Sequence, residues 1–531
     1  MPQIQLYDTT LRDGAQREGI SFTVEDKLRI AKKLDELGVH FIEGGWPGSN
    51  PKDEEFFAKA RRLNLSHALL VAFGSTRRPE TKAEKDPNLR ALLAAETAVV
   101  TIVGKSWDLH VTQVLATTLD KNLSMIADSI GFLKSKGRKV FFDAEHFFDG
   151  YKANPEYALK TVKVAADAGA ECIILCDTNG GATPSEVAAA FDAARKATGA
   201  PLGIHSHNDA ELAVANTLAA VQAGAIQVQG TINGYGERCG NANLCSIIPA
   251  IKLKMGIDCI SDKQLAKLTE VAHYVSELAN LALDTHLPYV GASAFAHKAG
   301  LHVAAMIKWE ESYHHIDPES VGNQWRTLVS ELSGKGGITH KARERGLEFV
   351  PQGEEARVIL ERVKSMESRG FQYDGAEASF ELLVLRAQPD YHPPFELVDF
   401  MVVVEKRRRP STMENEEELL SEATVKVKVG GGMIHTAAEG NGPVNALDAA
   451  MRKALLVFYP SLEAVRLVDY KVRAIDETEG TGSRVRVLIE SSDGEHEWRT
   501  VGSSTNIIEA SWLALADSLE YWLLKKGTVP L

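Results

Sequence analysis

Residues 201–230 read PLGIHSHNDAELAVANTLAAVQAGAIQVQG. An apolar run ends in His-Ser-His, an alanine-rich stretch follows, and a second apolar run closes the segment. Runs of strand length flanking a stretch with helical spacing read as strand, helix, strand. Residues i and i+2 of a strand face the same side, so His205 and His207 project together. Two neutral imidazoles on one face suit a borderline divalent metal. The plainer alternative is a pair of polar residues at an exposed strand end.

The same unit recurs outward from this segment. Seven further apolar runs, IQLYDTT, VHFIEGG, HALLVAFG, TAVVTIVG, KVFFDAEH, CIILCDT and AIQVQGTIN, accompany PLGIHSHN, and amphipathic stretches follow nearly all of them. EDKLRIAKKLDELG has Thr23 as its N-cap and closes on Gly38, a start and stop with physical causes. About eight such units within the first 257 residues predict a (β/α)8 barrel. A doubly wound open sheet is the competing fold. It asks for a glycine-rich phosphate loop after the first strand, and DTTLRDGAQ is not one. A barrel places active-site groups where strands pass into loops. Arg12, Asp13, Glu43, Glu145, Asp177, Thr178, His205, His207 and the stretch Asn233–Asn241 all fall there.

The remainder reads differently. Residues 258–370 are expected to be mostly helical, with FAHKAGLH and SGKGGITHKARERG, and to reach over a barrel mouth. Residues 371–531 are expected to form an α+β regulatory or dimerisation domain. ASFELLVLRA, FELVDFMVVVEKRR, EATVKVKVGG and RVRVLIESSDGEHEWRTVG read as its strands, and RRRPSTMENEEEL as a solvated loop. TAAEGNGPVNALDAAMRKAL, from Thr436, matches TVGSSTNIIEASWLALADSL, from Thr500. Each copy is a strand, a polar turn and an alanine-rich helix. Two such units can pack about a pseudo-twofold axis around a small ligand, or simply form a duplicated fold or a dimer interface.

Bulk properties narrow the partners. The 531 residues carry a net charge of −13, which argues against nucleic acid or an anionic membrane as partner. No apolar stretch approaches a membrane span, and the N-terminus lacks the pattern of a signal peptide. Five cysteines, an odd number without a C-x-x-C pair, fit a reduced cytoplasmic protein.

Three motifs, LRDGAQ (residues 11–16, with Lys27 further on), LGIHSHND (202–209) and NGYGERCGNANL (233–244), occur in this order. They resemble the three signatures of the 2-isopropylmalate, homocitrate and citramalate synthase family. FAHKAGLH and the C-terminal repeat extend the resemblance over nearly the whole chain, and EHFFDGY and STNIIEASWLAL look like the citramalate synthase branch. That family condenses acetyl-CoA with a 2-oxo acid. The resemblance implies metal ligands at Asp13, His205, His207 and Asn241, with zinc, manganese and magnesium all conceivable. It implies Arg12 as a catalytic residue, and a fixed guanidinium would stabilise a developing alkoxide; a structural salt bridge to Glu237 or Glu43 is the alternative. His302, the second histidine of FAHKAGLH, is implied as the base, Tyr313 as its assistant, and Glu145 as an acid near the reacting carbonyl.

Pyruvate is the oxo acid of the citramalate branch. Its small side chain asks for a narrow pocket, for which Phe73 and Trp107 are candidates, with Thr178 a further substrate contact; core packing is the competing role for the two aromatics. The resemblance further implies a homodimer with His302 acting across it. It also implies a branched-chain amino-acid effector, isoleucine, near Gly440, Gly442, Ser503 and Asn506. Alternatives are a 2-isopropylmalate or homocitrate synthase, or a metal-dependent acyl-CoA lyase. Two departures stand out. GLHVAA puts Ala304 and Ala305 where the family often has Asp-Gly, and Glu211 stands where it usually has Gly. Glu211 is expected in a helix's first turn, complementing the dipole.

Overall fold

The computed structural model describes residues 3–298, 300–328, 335–347, 350–373, 375–406, 419–475 and 482–528. The chain divides into two compact units, Met1–Phe295 with His314–Trp325, and Ala296–Tyr313 with Arg326–Leu531.

Eight parallel strands close the barrel of the first unit. They are β1 (Gln5–Asp8), β2 (Phe41–Gly45), β3 (Leu69–Ser75), β4 (Val99–Lys105), β5 (Lys139–Glu145), β6 (Cys172–Asp177), β7 (Leu202–Ser206) and β8 (Gln227–Gly230). Closure is made by β1 on β8, in register from Gln5 opposite Gln227 to Asp8 opposite Gly230. The principal outer helices are α1 (Val24–Leu37), α2 (Pro51–Ala60), α3 (Pro87–Ala94), α4 (Leu119–Ser135), α5 (Phe147–Ala153), α6 (Pro155–Asp167), α7 (Pro184–Thr198) and α8 (Ala213–Gln222). Local sequence starts and stops them. Thr23 and Asp26 form a capping box on α1, and Gly38 ends it in the left-handed conformation, which costs a residue without Cβ little.

Alternation along the strands sorts the core. Tyr7, Val71, Val99, Phe141, Cys172, Ile174 and Cys176 pack together, with Phe41 against them. Their neighbours Leu6, Ile42, Ala72, Val100, Phe142, Ile173 and Leu175 belong to the larger core that includes the helices. The period of two therefore aims one set into the barrel and the other outward. Two residues on from Tyr7's aromatic neighbours Phe41 and Phe141 stand Glu43 and Asp143, both buried. The barrel interior thus passes from an apolar floor to a polar layer.

The first unit continues through α9 (Leu244–Pro249), α10 (Asp262–Leu265) and α11 (Leu268–Leu278), then irregular chain to Phe295. The stretch from 279 to 295 contains no helix, so the expected helical character of 258–370 is interrupted there. In the second unit β9 (Ala296–His297) pairs with β10 (Arg326–Thr327), and α12 (Gly300–Lys308), α13 (Lys335–Glu344), α14 (Gly353–Glu367) and α15 (Glu377–Leu385) follow in chain order. Two matching modules complete it. One is β11 (Glu396–Lys406), β12 (Leu419–Val429), β13 (Gly432–Gly440) and α16 (Pro443–Leu455). The other is β14 (Arg466–Ala474), β15 (Val485–Ser492), β16 (Glu497–Ser504) and α17 (Ile507–Lys525). This is the strand–turn–helix repeat read from the sequence.

One expected strand is a helix. ASFELLVLRA forms most of α15, where Ala378 through Val384 are all buried. A short run buried on every side carries no periodicity to separate helix from strand. Residues 407–418 of the expected solvated loop lie outside the described residues. No helix among the described residues is long and apolar enough to cross a membrane.

Candidate metal and catalytic site

His205 lies in β7 and His207 just beyond it, with ring centroids 5.2 Å apart. Asp13 arrives from the turn after β1, its Oδ2 3.3 Å from His205 Nε2 and 4.0 Å from His207 Nε2. That turn is fixed from below. The Asp8 carboxylate accepts from the Thr10 amide and hydroxyl, and the Thr10 hydroxyl accepts from the Ile232 amide after β8. The first and last strand ends are thus tied together beneath the three groups.

Asn241 joins them through the loop after β8. It forms a β-bridge with His207, and Ala242 N donates to Ser206 O at 2.9 Å. Its Nδ2 donates to Tyr235 O at 3.0 Å, which fixes the amide's orientation. Its Oδ1 is buried and has no hydrogen-bond partner among the described residues, an arrangement that costs free energy unless a ligand satisfies it. Gly236 permits the arrangement, since a Cβ there would stand 2.2 Å from Asn241 Nδ2.

Burial and the neighbouring charges set the protonation states of the three groups. Burial, then the neighbouring His205, push His207 down to about 4, so it is neutral near pH 7. Burial opposes charge on His205, but contact with Asp13 outweighs it and raises the group. Burial would also raise Asp13, yet Arg12 and both histidines hold its carboxyl well below the usual range. Ligand atoms from Asp13, His205 and His207 all lie within 4.8 Å of one another. One carboxylate and two imidazoles, with the unpartnered Asn241 Oδ1 alongside, form a donor set that fits a divalent metal ion.

Arg12 stands beside this cluster. Its Nε donates to Glu43 Oε1 at 2.5 Å, its Nη1 lies 3.6 Å from Asp13 Oδ2, and its guanidinium sits 3.9 Å above the Phe73 ring. Glu43 also accepts from the Tyr7 hydroxyl at 2.6 Å. The Phe73 ring meets Trp46 edge-on at 5.4 Å, and Trp46 Nε1 donates to Asn88 Oδ1. Phe73 therefore supports Arg12. Deeper in, Gln229 Oε1 lies 3.1 Å from His205 Nδ1, and Gln229 Nε2 donates to Asp143 Oδ1 at 3.2 Å. Burial, then Glu43, push Asp143 up to about 7. Sequence reasoning passed over Trp46, Asp143 and Gln229. For the last two a signal existed, because each falls on an inward-facing register of its strand.

Other expected residues occupy other parts of the mouth. Glu145 ends β5 and pairs with Lys105. Thr178 Oγ1 accepts from the His146 amide at 2.9 Å. Trp107 packs against His110 and His146, whereas Phe73 contacts Arg12 and Trp46. Lys27, part of the first motif, is buried in an ion pair with Asp53 at 2.5 Å and donates to Gly44 O. Glu211 precedes α8 in the left-handed conformation, with φ of 59°. The expectation that it lies in a helix's first turn is wrong, because its backbone sits ahead of the helix in the left-handed region, which a residue without Cβ adopts at less cost.

Within the second unit, His302 of α12 stacks on Tyr313, with ring centroids 4.3 Å apart and planes at 26°. Gly440 ends β13 and Gly442 caps α16; Ser503 lies in β16 and Asn506 caps α17. The four expected effector residues thus occupy equivalent strand-to-helix turns. Ser503 Oγ already donates to Arg369 O at 2.8 Å.

Residues 3–275 match the HMGL-like family, 289–370 a homocitrate synthase post-HMGL domain-like family, and 374–523 the LeuA allosteric (dimerisation) domain. The chain is 57% identical to an (R)-citramalate synthase of Geobacter sulfurreducens, over 100% of this chain and 99% of that one. It is 52% identical to an (R)-citramalate synthase of Aquifex aeolicus, over 98% of each. A 2-isopropylmalate synthase of Methanocaldococcus jannaschii is 31% identical, over 99% of this chain and 95% of its own.

Proposed function

Because the chain belongs to the HMGL-like family and, within it, to the (R)-citramalate synthases, we propose that it joins the methyl carbon of acetyl-CoA to the keto carbon of pyruvate. Water then cleaves the thioester, and citramalate and CoA leave. The observation that carries this reading is the buried Asp13–His205–His207 cluster with the unpartnered Asn241 Oδ1 beside it.

Asp13, His205, His207 and Asn241 would hold a divalent ion, manganese, magnesium or zinc. Such an ion, when bound, supplies Lewis-acid polarisation of the keto group. Arg12, braced by Glu43 and Phe73, holds the charge that develops on the keto oxygen. Its grip on Glu43 is formed beforehand, so the guanidinium needs little reorganisation at the moment of reaction. His302 takes the methyl proton from acetyl-CoA, with Tyr313 stacked on it as positioning partner. Glu145 works beside the reacting carbonyl, and Thr178, Phe73 and Trp107 bound the substrate's space.

The catalytic part is residues 1–257, residues 258–370 form the cover, and 371–531 the regulatory domain. The LeuA-type match supports a homodimer and an allosteric effector. A branched-chain amino acid such as isoleucine would sit at the Gly440–Gly442 and Ser503–Asn506 turns. The enzyme would work in the cytoplasm. The test is CoA-thiol release from acetyl-CoA with a panel of 2-oxo acids. Preference for pyruvate is expected. Preference for 2-oxoisovalerate or 2-oxoglutarate would assign a sister synthase, and acetyl-CoA formation without an added oxo acid would assign a lyase.

A further inference from the structure

We propose that Gln229 is a positioning residue for the metal centre: its amide, oriented by Asp143, keeps a proton on Nδ1 of His205, so that Nε2, which faces Asp13, is the ring atom left for the metal. The inference rests on the metal-binding reading above and deepens it.

Gln229 is fully buried, and both ends of its amide are engaged. An amide NH2 only donates and its oxygen only accepts. Asp143 offers an acceptor oxygen in either charge state, and the NH2 end turns to it at 3.2 Å while the carbonyl end turns to His205 Nδ1 at 3.1 Å. Nδ1 then carries a proton, so the proton that an incoming ion displaces is the one on Nε2, the atom 3.3 Å from Asp13 Oδ2. A reversed amide would put a donor against Nδ1 and drive the proton to Nε2, between the imidazole and its metal. His207 has no such device among the described residues, for its Nδ1 is buried without a partner there. The tautomer of the pair is therefore set at His205 alone, from a group on β8 and a carboxyl on β5. Partners of this kind fix ring orientation and ligand basicity in metal sites.

The experiment is equilibrium binding of Mn2+ alone, by chelator competition, on the full-length protein, with the melting temperature recorded for each variant. Gln229→Met keeps length and loses both hydrogen bonds, and should weaken Mn2+ binding about 10- to 100-fold. Asp143→Leu, which frees the amide to reverse, should weaken it in the same way. Asp143→Asn keeps an acceptor oxygen and should stay close to the unaltered protein. Gln229→Met binding Mn2+ as tightly as the unaltered protein overturns the proposal. Should that variant fail to fold, equal affinities for Asp143→Leu and Asp143→Asn overturn it instead. Failure of the unaltered protein to take up the ion would defeat the metal-binding reading itself, and this inference with it.

Discussion

At the scale of single residues, Arg12 braces Glu43 and is proposed to hold charge on the reacting oxygen, and the two roles separate by experiment. Arg12→Ala leaves the Glu43 carboxylate buried with only Tyr7 for company. Removing one partner of a buried pair costs on the order of 3–5 kcal/mol of stability. Loss of the guanidinium from the reacting oxygen should lower kcat by roughly 10²–10³. Adding Glu43→Gln should return much of the stability, read by urea unfolding, and none of the turnover. Turnover that recovers together with stability would make Arg12 a structural residue only. The histidines make a prediction about pH. His207 stays neutral down to about 4, whereas Asp13 raises His205 above its ordinary value. Below that raised value an incoming ion must displace a single proton, from His205. Metal affinity should therefore fall roughly tenfold for each unit of pH lost, with one proton released per ion. Potentiometric titration during loading checks this, and an affinity indifferent to pH across that window would contradict it.

At the scale of elements, the loop after β8 carries Asn241, the proposed fourth donor, and its shape depends on Gly236. A methyl there would enter the space of the Asn241 amide, at a φ of 157° that residues with a Cβ rarely adopt. Gly236→Ala should weaken metal binding by about tenfold or more, a loss comparable to that of an outer-shell partner. Unchanged affinity would mean that Asn241 is not a ligand. The strands that carry the site were legible in the sequence, because apolar runs of strand length alternate with capped helices. Even the inward register could be read from positions 205 and 207, two apart. What lay beyond reach were contacts between elements. Trp46 under Phe73, and Asp143 joined to Gln229 across the barrel, depend on strand stagger rather than on any local pattern. Glu211 and ASFELLVLRA misled for local reasons. A left-handed carboxylate has no compositional mark, and a fully buried helix shows no amphipathic period. Lys27, conspicuous in its motif, holds α1 against Gly44 of β2 and Asp53 of α2.

At the scale of the whole molecule, one unit is a barrel with a polar upper layer, and the other carries the stacked His302 and Tyr313 and a duplicated module. The division of labour predicts that His302→Ala abolishes CoA release while metal content, measured by atomic emission, stays at one ion per chain. Near-normal turnover would remove His302 from the base role. The central claim is that Asp13, His205 and His207 act through a divalent ion. The most direct measurement is CoA release from acetyl-CoA and pyruvate after exhaustive chelation, followed by stepwise return of Mn2+, Mg2+ or Zn2+. The account predicts that turnover vanishes on chelation and returns with one ion per chain. Full turnover in protein shown to be free of divalent ions would contradict it.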